Sequence, residues 1–190
     1  GASGAIGAKT VLDAKPDGYT LLFAADSLGT QRVMGLSEIS YNDFAPILLA
    51  VNDPKVIVVS KDSKYETLED LIEDIKARPG KVKISYTGPC GSGHVQCLIY
   101  NKFGLEMALT PYPGGSECLL AVIGGQVDFT NANYSTITGY LESGDIKLLG
   151  ISSKERLTKY PDVPTLGEII PEAEEYLDIP FTPLSLLVHK

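Results

Sequence analysis

From residue 56 onward the chain alternates short β-branched or apolar runs with helix-length amphipathic segments, and this rhythm constrains the fold more than any other feature. Residues 56–60 (VIVVS) read as a strand and 67–78 as a helix. Leu68, Leu71, Ile72 and Ile75 fall on one face of that helix at 3.6-residue spacing. Thr67 with Asp70 makes a capping box at its start, and Pro79-Gly80 stops it. The pattern then repeats as strand 81–86 and helix 92–103, strand 107–112 and a helix from 116 through 123, strand 127–129 and helix 135–142, and strand 146–151. Repeated β-loop-α units predict an α/β fold with a mostly parallel sheet and helices on both faces. Right-handed crossovers then bring every β-to-α loop to one sheet edge, the edge at which open α/β sheets bind ligands.

The loops that collect there are 86–93, 112–116 and 130–135; all are rich in Gly, Ser, Thr, Asn and Tyr, and none contains Lys or Arg. They predict a neutral, hydrogen-bonding mouth. The stretch 83–94 (KISYTGPCGSGH) stands out among them as strand, glycine-rich loop and helix start. Such an order leaves several backbone N–H groups unpaired at the positive end of a helix dipole, a place that holds an anion without a basic side chain. Residues 1–50 form a different unit, with a helix over 4–14, a strand over 19–24 and a loop over 26–30. The apolar segments 43–51 and 56–60 are separated by the turn signal Asn52-Asp-Pro54.

Composition excludes several function classes. With 44% hydrophobic and 21% charged residues the 190-residue chain is of ordinary globular composition, long enough to bury a core as one large domain or two small ones. Its net charge of -8, with no basic cluster to offset it, argues against nucleic acid or an anionic membrane as partner. Lys147, Lys154, Arg156 and Lys159 read as a solvated edge. No apolar run approaches the roughly 18–20 residues that span a bilayer. Cys90, Cys97 and Cys118 form no CxxC pair and are expected to be structural, mostly buried and free; His94 and His189 are too few to complete a metal site, so neither metal nor cofactor is predicted. The glycine-rich opening fails the phosphate-loop pattern, because Ala8 separates the last glycine from Lys9. Cys90 with His94 suggests a thiol nucleophile, but no third orienting residue is identifiable. His94 by itself serves packing or capping as readily as a ligand. Asp128 is either structural or mouth-lining, and Asn131 and Asn133 suit turns as well as ligands.

A collinear set of segments then resembles a known family: GAIGAK at 4–9, KPDGYTLL at 15–22, DFAPI at 43–47, TLEDL at 67–71, PGK at 79–81, the Gly-Ser loop closing at His94, PYPGG at 111–115, GGQVD at 124–128 and PDVPT at 161–165. The family is that of the extracytoplasmic substrate-binding proteins of tripartite tricarboxylate transporters, the Bug family. The resemblance implies a type II periplasmic binding protein fold, in which two α/β lobes joined by crossing strands clasp a small organic anion. On this pattern residues 1–50 would be part of the first lobe, 51–178 the second lobe, and 179–190 a strand returning to the first. The N-terminal strand, the glycine-rich loop of the first lobe and the C-terminal helices of family members have no counterpart in this chain.

By the same resemblance the loop from Thr87 to His94 would wrap a carboxylate. Thr87 and Ser92 would donate, Gly88 and Gly91 would allow close backbone approach, and Cys90 and His94 belong to the same loop. Asp26 and Ser27 would face it from the first lobe, and Tyr112, Asn131 and Asn133 would shape the wall. Pro89 and Cys90 depart from the usual Gly-Asn-Gly-Ser-Ser-Ser pattern, and Pro89 removes one N–H donor. Pro113 stands where the family has Lys. The implied function is capture of a di- or tricarboxylate, or a related organic acid, outside the cytoplasm and delivery to membrane transporter subunits, with no chemistry. A ligand-sensing domain of a transcription regulator and, less favoured, an enzyme using Cys90 are the alternatives.

Overall fold

The computed structural model describes residues 4–25, 27–89, 91–177 and 183–189. The chain divides into two compact units, one of Gly1–Asp53, Cys90–Ser92 and Pro180–Lys190, the other of Pro54–Pro89 and Gly93–Ile179. The assignment of Cys90–Ser92 to the first unit has no counterpart in the sequence-based division.

In the first unit, strands β1 (Leu21–Ala24), β2 (Phe44–Asn52) and β8 (Pro183–His189) pair antiparallel in the order β1-β8-β2. Side chains alternate across β1, so Leu22 and Ala24 are buried while Leu21 and Phe23 are exposed. Helix α1 (Ala5–Leu12) lays Ala8 and Val11 against Leu22, Ala24, Phe44 and Leu187, and Leu28 of the single-turn helix α2 (Ser27–Thr30) completes this small core.

The second unit holds a five-stranded sheet in the order β5-β4-β6-β3-β7. Strands β4 (Lys83–Thr87), β5 (Ala108–Tyr112) and β6 (Phe129–Asn133) are linked by parallel pairings. Strand β3 (Lys55–Ser60) runs antiparallel to both β6 and β7 (Ile146–Ser152), so four strands point one way and one the other.

One sheet face carries Ile57, Val59, Ile84, Phe129 and Leu149 in a core with helices α3 (Leu68–Ala77) and α4 (Ser92–Lys102) and the short helices α7 (Leu166–Ile169) and α8 (Glu174–Leu177). The other carries Val56, Val58, Ala132 and Ile151 against Leu119 of α5 (Gly115–Ile123) and Ile137 of α6 (Tyr134–Ser143). Helix α3 follows its sequence signals closely. Both halves of the Thr67–Asp70 capping box form, and Leu68, Leu71, Ile72 and Ile75 are all buried, each side chain contributing roughly 1.5–3 kcal/mol of transfer free energy before entropy. No helix among the described residues is long and apolar enough to cross a membrane.

Strand β6 differs from the reading that ended it at Phe129 and placed 130–135 in a loop: the strand continues to Asn133. It lies between β3 and β4; Thr130 has ladder partners on both sides, and pairing with β3 holds Asn131 and Ala132 in extended, buried backbone. Tertiary pairing here overrides the turn preference of asparagine.

Candidate functional site

Because β3 runs against the rest of its sheet, its first residue and the last residues of β4, β5, β6 and β7 meet at one edge. The register sets Lys55 opposite Asn133 on one side and Ser152 on the other, and Thr87 beside Tyr112. Thr87, Tyr112 and Asn133 were expected there; Lys55 and Ser152 were not. Lys55 is 5% exposed and its Nζ donates to Asn133 Oδ1. The three mouth loops lack cationic side chains, yet the edge they crown holds a buried lysine brought in by β3. The local signal for it was the Asn52-Asp-Pro54 turn, but only the antiparallel direction of β3 places the following residue at this edge.

The loop after β4 is tightly folded on itself. Gly88 adopts a left-handed φ of 54°, which suits glycine, and its N–H donates to the Tyr86 carbonyl at 3.1 Å. That donor, expected to serve a ligand's close approach, is thus engaged within the turn. Pro89 brings none. At Gly93 a Cβ would lie 3.4 Å from both the Thr87 nitrogen and Oγ1 and 3.5 Å from the Tyr86 Cβ, so the first turn of α4 rests against the end of β4. Ser92 opens α4 and is buried, while Gly91 is half-buried. The His94 ring stacks on Tyr86, with centroids 5.5 Å apart and planes inclined by 24°, which gives this histidine a packing role. Helix α4 runs for eleven residues from Ser92, and a helix of that length has the positive end of its dipole at its start. Cys90 and Asp26 lie outside the described residues.

The remaining expected residues fall in distinct settings. Ser27 starts α2 in the first unit and lines a cavity of about 270 Å³ with Gly4, Gly7, Leu22, Leu28 and Gln31. Tyr112 packs beside Ala121, Val122 and Val127 and donates its hydroxyl to Gln126 Oε1 at 3.3 Å, so that hydroxyl is engaged on the α5 side of the sheet. Asp128 is structural: its Oδ2 accepts from the Lys83 N–H at 2.7 Å and its own N–H donates to the Lys83 carbonyl, at the sheet end opposite the mouth.

Asn131 is buried two residue pairs inward from the edge row. Its Oδ1 accepts from the Tyr100 hydroxyl at 2.9 Å, and that hydroxyl also meets Ser152 Oγ at 3.0 Å. Burial pushes the Tyr100 phenol above its ordinary pKa, so it stays a neutral donor. Gln96, one turn along α4 from Ser92, is fully buried beside Tyr100. Sequence reading named neither Gln96 nor Tyr100, since both sit within the expected helix 92–103. Cys97 and Cys118 are free and buried as expected; burial pushes the Cys97 thiol up to about 12 and raises that of Cys118, which makes both poor nucleophiles.

Residues 1–182 match the family model described as the tripartite tricarboxylate transporter family receptor. Protein BugT of Bordetella pertussis is 30% identical over 176 residues, which cover 89% of this chain and 53% of that protein. The chain spans about half the length of the curated relatives it matches. Among solved structures, a TctC solute binding protein from Polaromonas is 29% identical with a TM-score of 0.78, and the match covers all of this chain and 64% of that one. The periplasmic binding protein BugD is 25% identical with a TM-score of 0.81, covering all of this chain and 63% of its own. MatC from Rhodopseudomonas palustris, solved with bound malate, is 25% identical with a TM-score of 0.72, covering all of this chain and 64% of its own.

Proposed function

The chain belongs to the tripartite tricarboxylate transporter receptor family, and from that premise we propose that it captures a small organic carboxylate outside the cytoplasm and hands it to the membrane subunits of a tripartite carrier. The observation that carries this reading is the family match over residues 1–182 together with a glycine-rich loop that ends at the start of an eleven-residue helix. Backbone N–H groups at such a helix start bind carboxylate through charge-assisted hydrogen bonds, which are roughly twice as strong as neutral ones. In this reading Thr87, Gly91, Ser92 and the segment around Cys90 hold one carboxylate, with Asn133 and Lys55 at the same sheet edge. MatC, a relative of similar fold, holds a dicarboxylate, which favours the same ligand class here. The protein binds and releases its ligand unchanged, so the reading requires no catalytic residue.

The test is the thermal stability of the complete gene product against mono-, di- and tricarboxylates and amino acids. A ligand present at 100 times its Kd stabilises the native state by about 2.7 kcal/mol. At least one of these acids should raise the midpoint, and the one that does identifies the ligand class. A protein that responds to no acid, or a complex with no carboxylate within hydrogen-bond reach of residues 87–94, would overturn the proposal.

A further inference from the structure

The polar cluster under α4 is incomplete. Gln96 is 0% exposed, yet neither its Oε1 nor its Nε2 has a hydrogen-bond partner, and Asn131, 6% exposed, leaves its Nδ2 unpaired. The neighbouring Tyr100 hydroxyl cannot complete the set: its single proton goes to Asn131 Oδ1, so it can at most accept from Gln96 Nε2 and leaves Gln96 Oε1 unmet. Two amides in a core otherwise built from Ile57, Phe129, Leu149 and Cys97 would be replaced at little cost by apolar side chains of similar shape, because a buried polar group without a partner destabilises the fold. Their position distinguishes them from a mere packing defect. Asn131 lies two residue pairs inward from the row Lys55, Asn133 and Ser152, and so on the same sheet face, and Gln96 lies one turn inward from the start of α4. On this face the residues at the edge and the amides inward of it therefore carry hydrogen-bonding side chains.

The unmet groups include both kinds: donors on Asn131 Nδ2 and Gln96 Nε2, and an acceptor on Gln96 Oε1. A carboxylate oxygen satisfies only donors. A hydroxyl is the smallest ligand group that gives a proton and takes one. Resting on the carboxylate-capture reading above, we propose that Gln96 and Asn131 are specificity-determining residues that read a hydroxyl on the ligand, so the protein selects hydroxy acids over their deoxy counterparts. Sites built to hydrogen-bond a ligand hydroxyl reject the analogue lacking it strongly, since that analogue leaves the buried groups unpaired.

The experiment uses isothermal titration of the complete gene product with three pairs: lactate and propionate, malate and succinate, citrate and tricarballylate. In at least one pair the hydroxy acid should bind ten times or more tighter. Gln96→Leu should shrink that ratio to below threefold while leaving the melting temperature of the ligand-free protein equal or higher, a sign that an ordinary structural glutamine would not give. If Gln96→Leu does not fold, Gln96→Met answers the same question with an unbranched side chain. Carboxylates that bind with no hydroxyl preference, or a preference that survives both substitutions, overturn this proposal alone and assign the amides to an internal water. Failure of every acid in all three pairs to bind removes the carboxylate reading, and this inference with it.

Discussion

Gly150→Ala should destabilise the second unit through a single steric contact. Gly150 lies in β7 beneath the first residue of α3, and a Cβ built on it would sit 2.6 Å from Leu68 Cδ2, 3.1 Å from Cδ1 and 3.3 Å from Cγ. Carbon atoms in contact prefer about 3.5–4.0 Å, so something must move by roughly an ångström. Leu68 is 1% exposed and follows directly on Thr67, whose capping box with Asp70 holds the helix start in place. The side chain must leave its rotamer or α3 must lift from the sheet. Overpacking of this kind costs typically 1–3 kcal/mol, partly offset by about 0.4–1 kcal/mol from the reduced freedom of alanine in the unfolded chain. The net expectation is about 1–2 kcal/mol, which for a protein of this size lowers the melting temperature by about 2–8 °C. Leu68→Ala alone should cost about 2–5 kcal/mol by leaving a cavity. The two changes are complementary, so the double variant should be at least about 1 kcal/mol more stable than their sum predicts. Urea denaturation followed by circular dichroism measures all three. Additive effects, or a neutral Gly150→Ala, would show that α3 does not bear on β7 through this pair.

Two further outcomes follow from the electrostatics and from burial. The Asp74 carboxyl is held well below the ordinary carboxylate range, first by Arg78, then by Lys64 and by the Tyr65 hydroxyl at 2.5 Å; a depressed pKa contributes stability above the unfolded value near 4 and loses it as pH falls. Asp74→Asn should therefore be less stable than the parent at pH 7, with the gap closing below pH 4 in acid-unfolding curves, and a gap constant down to pH 2 would refute the coupling. Cys97, buried with its thiol pushed up to about 12, should resist a thiol reagent at pH 8 in the native protein and react on denaturation. Native labelling of Cys97 at the rate of a model thiol would contradict the packing of α4.

Much of the second unit was legible because its signals are local. The capping box, the apolar stripe of α3 and the strand-loop-helix order around Thr87 each depend on residues within a few positions of one another, and each forms as read. His94 stacking on Tyr86 spans eight positions, and sequence left it open between packing and ligand. The functional-site reading was weakest where partners are distant. Asn131 and Asn133 looked like loop residues because their preference is for turns, and only pairing with β3 draws them into a strand.

By itself the sequence determined the α/β class, the capping box of α3 and the family, since periodicity, turn residues and shared motifs are written along the chain. Only the tertiary structure decided which way β3 runs, and with it the arrival of Lys55 beside Asn133, 78 residues away. The same holds for Tyr100, joined to Asn131 across 31 residues and to Ser152 across 52, and for the unpaired amides of Gln96 and Asn131. The physical reason is that strand direction and register are set by the sheet as a whole. A one-residue slip would turn Asn131 and Asn133 to the opposite face, and no local preference of the chain reports which face they take.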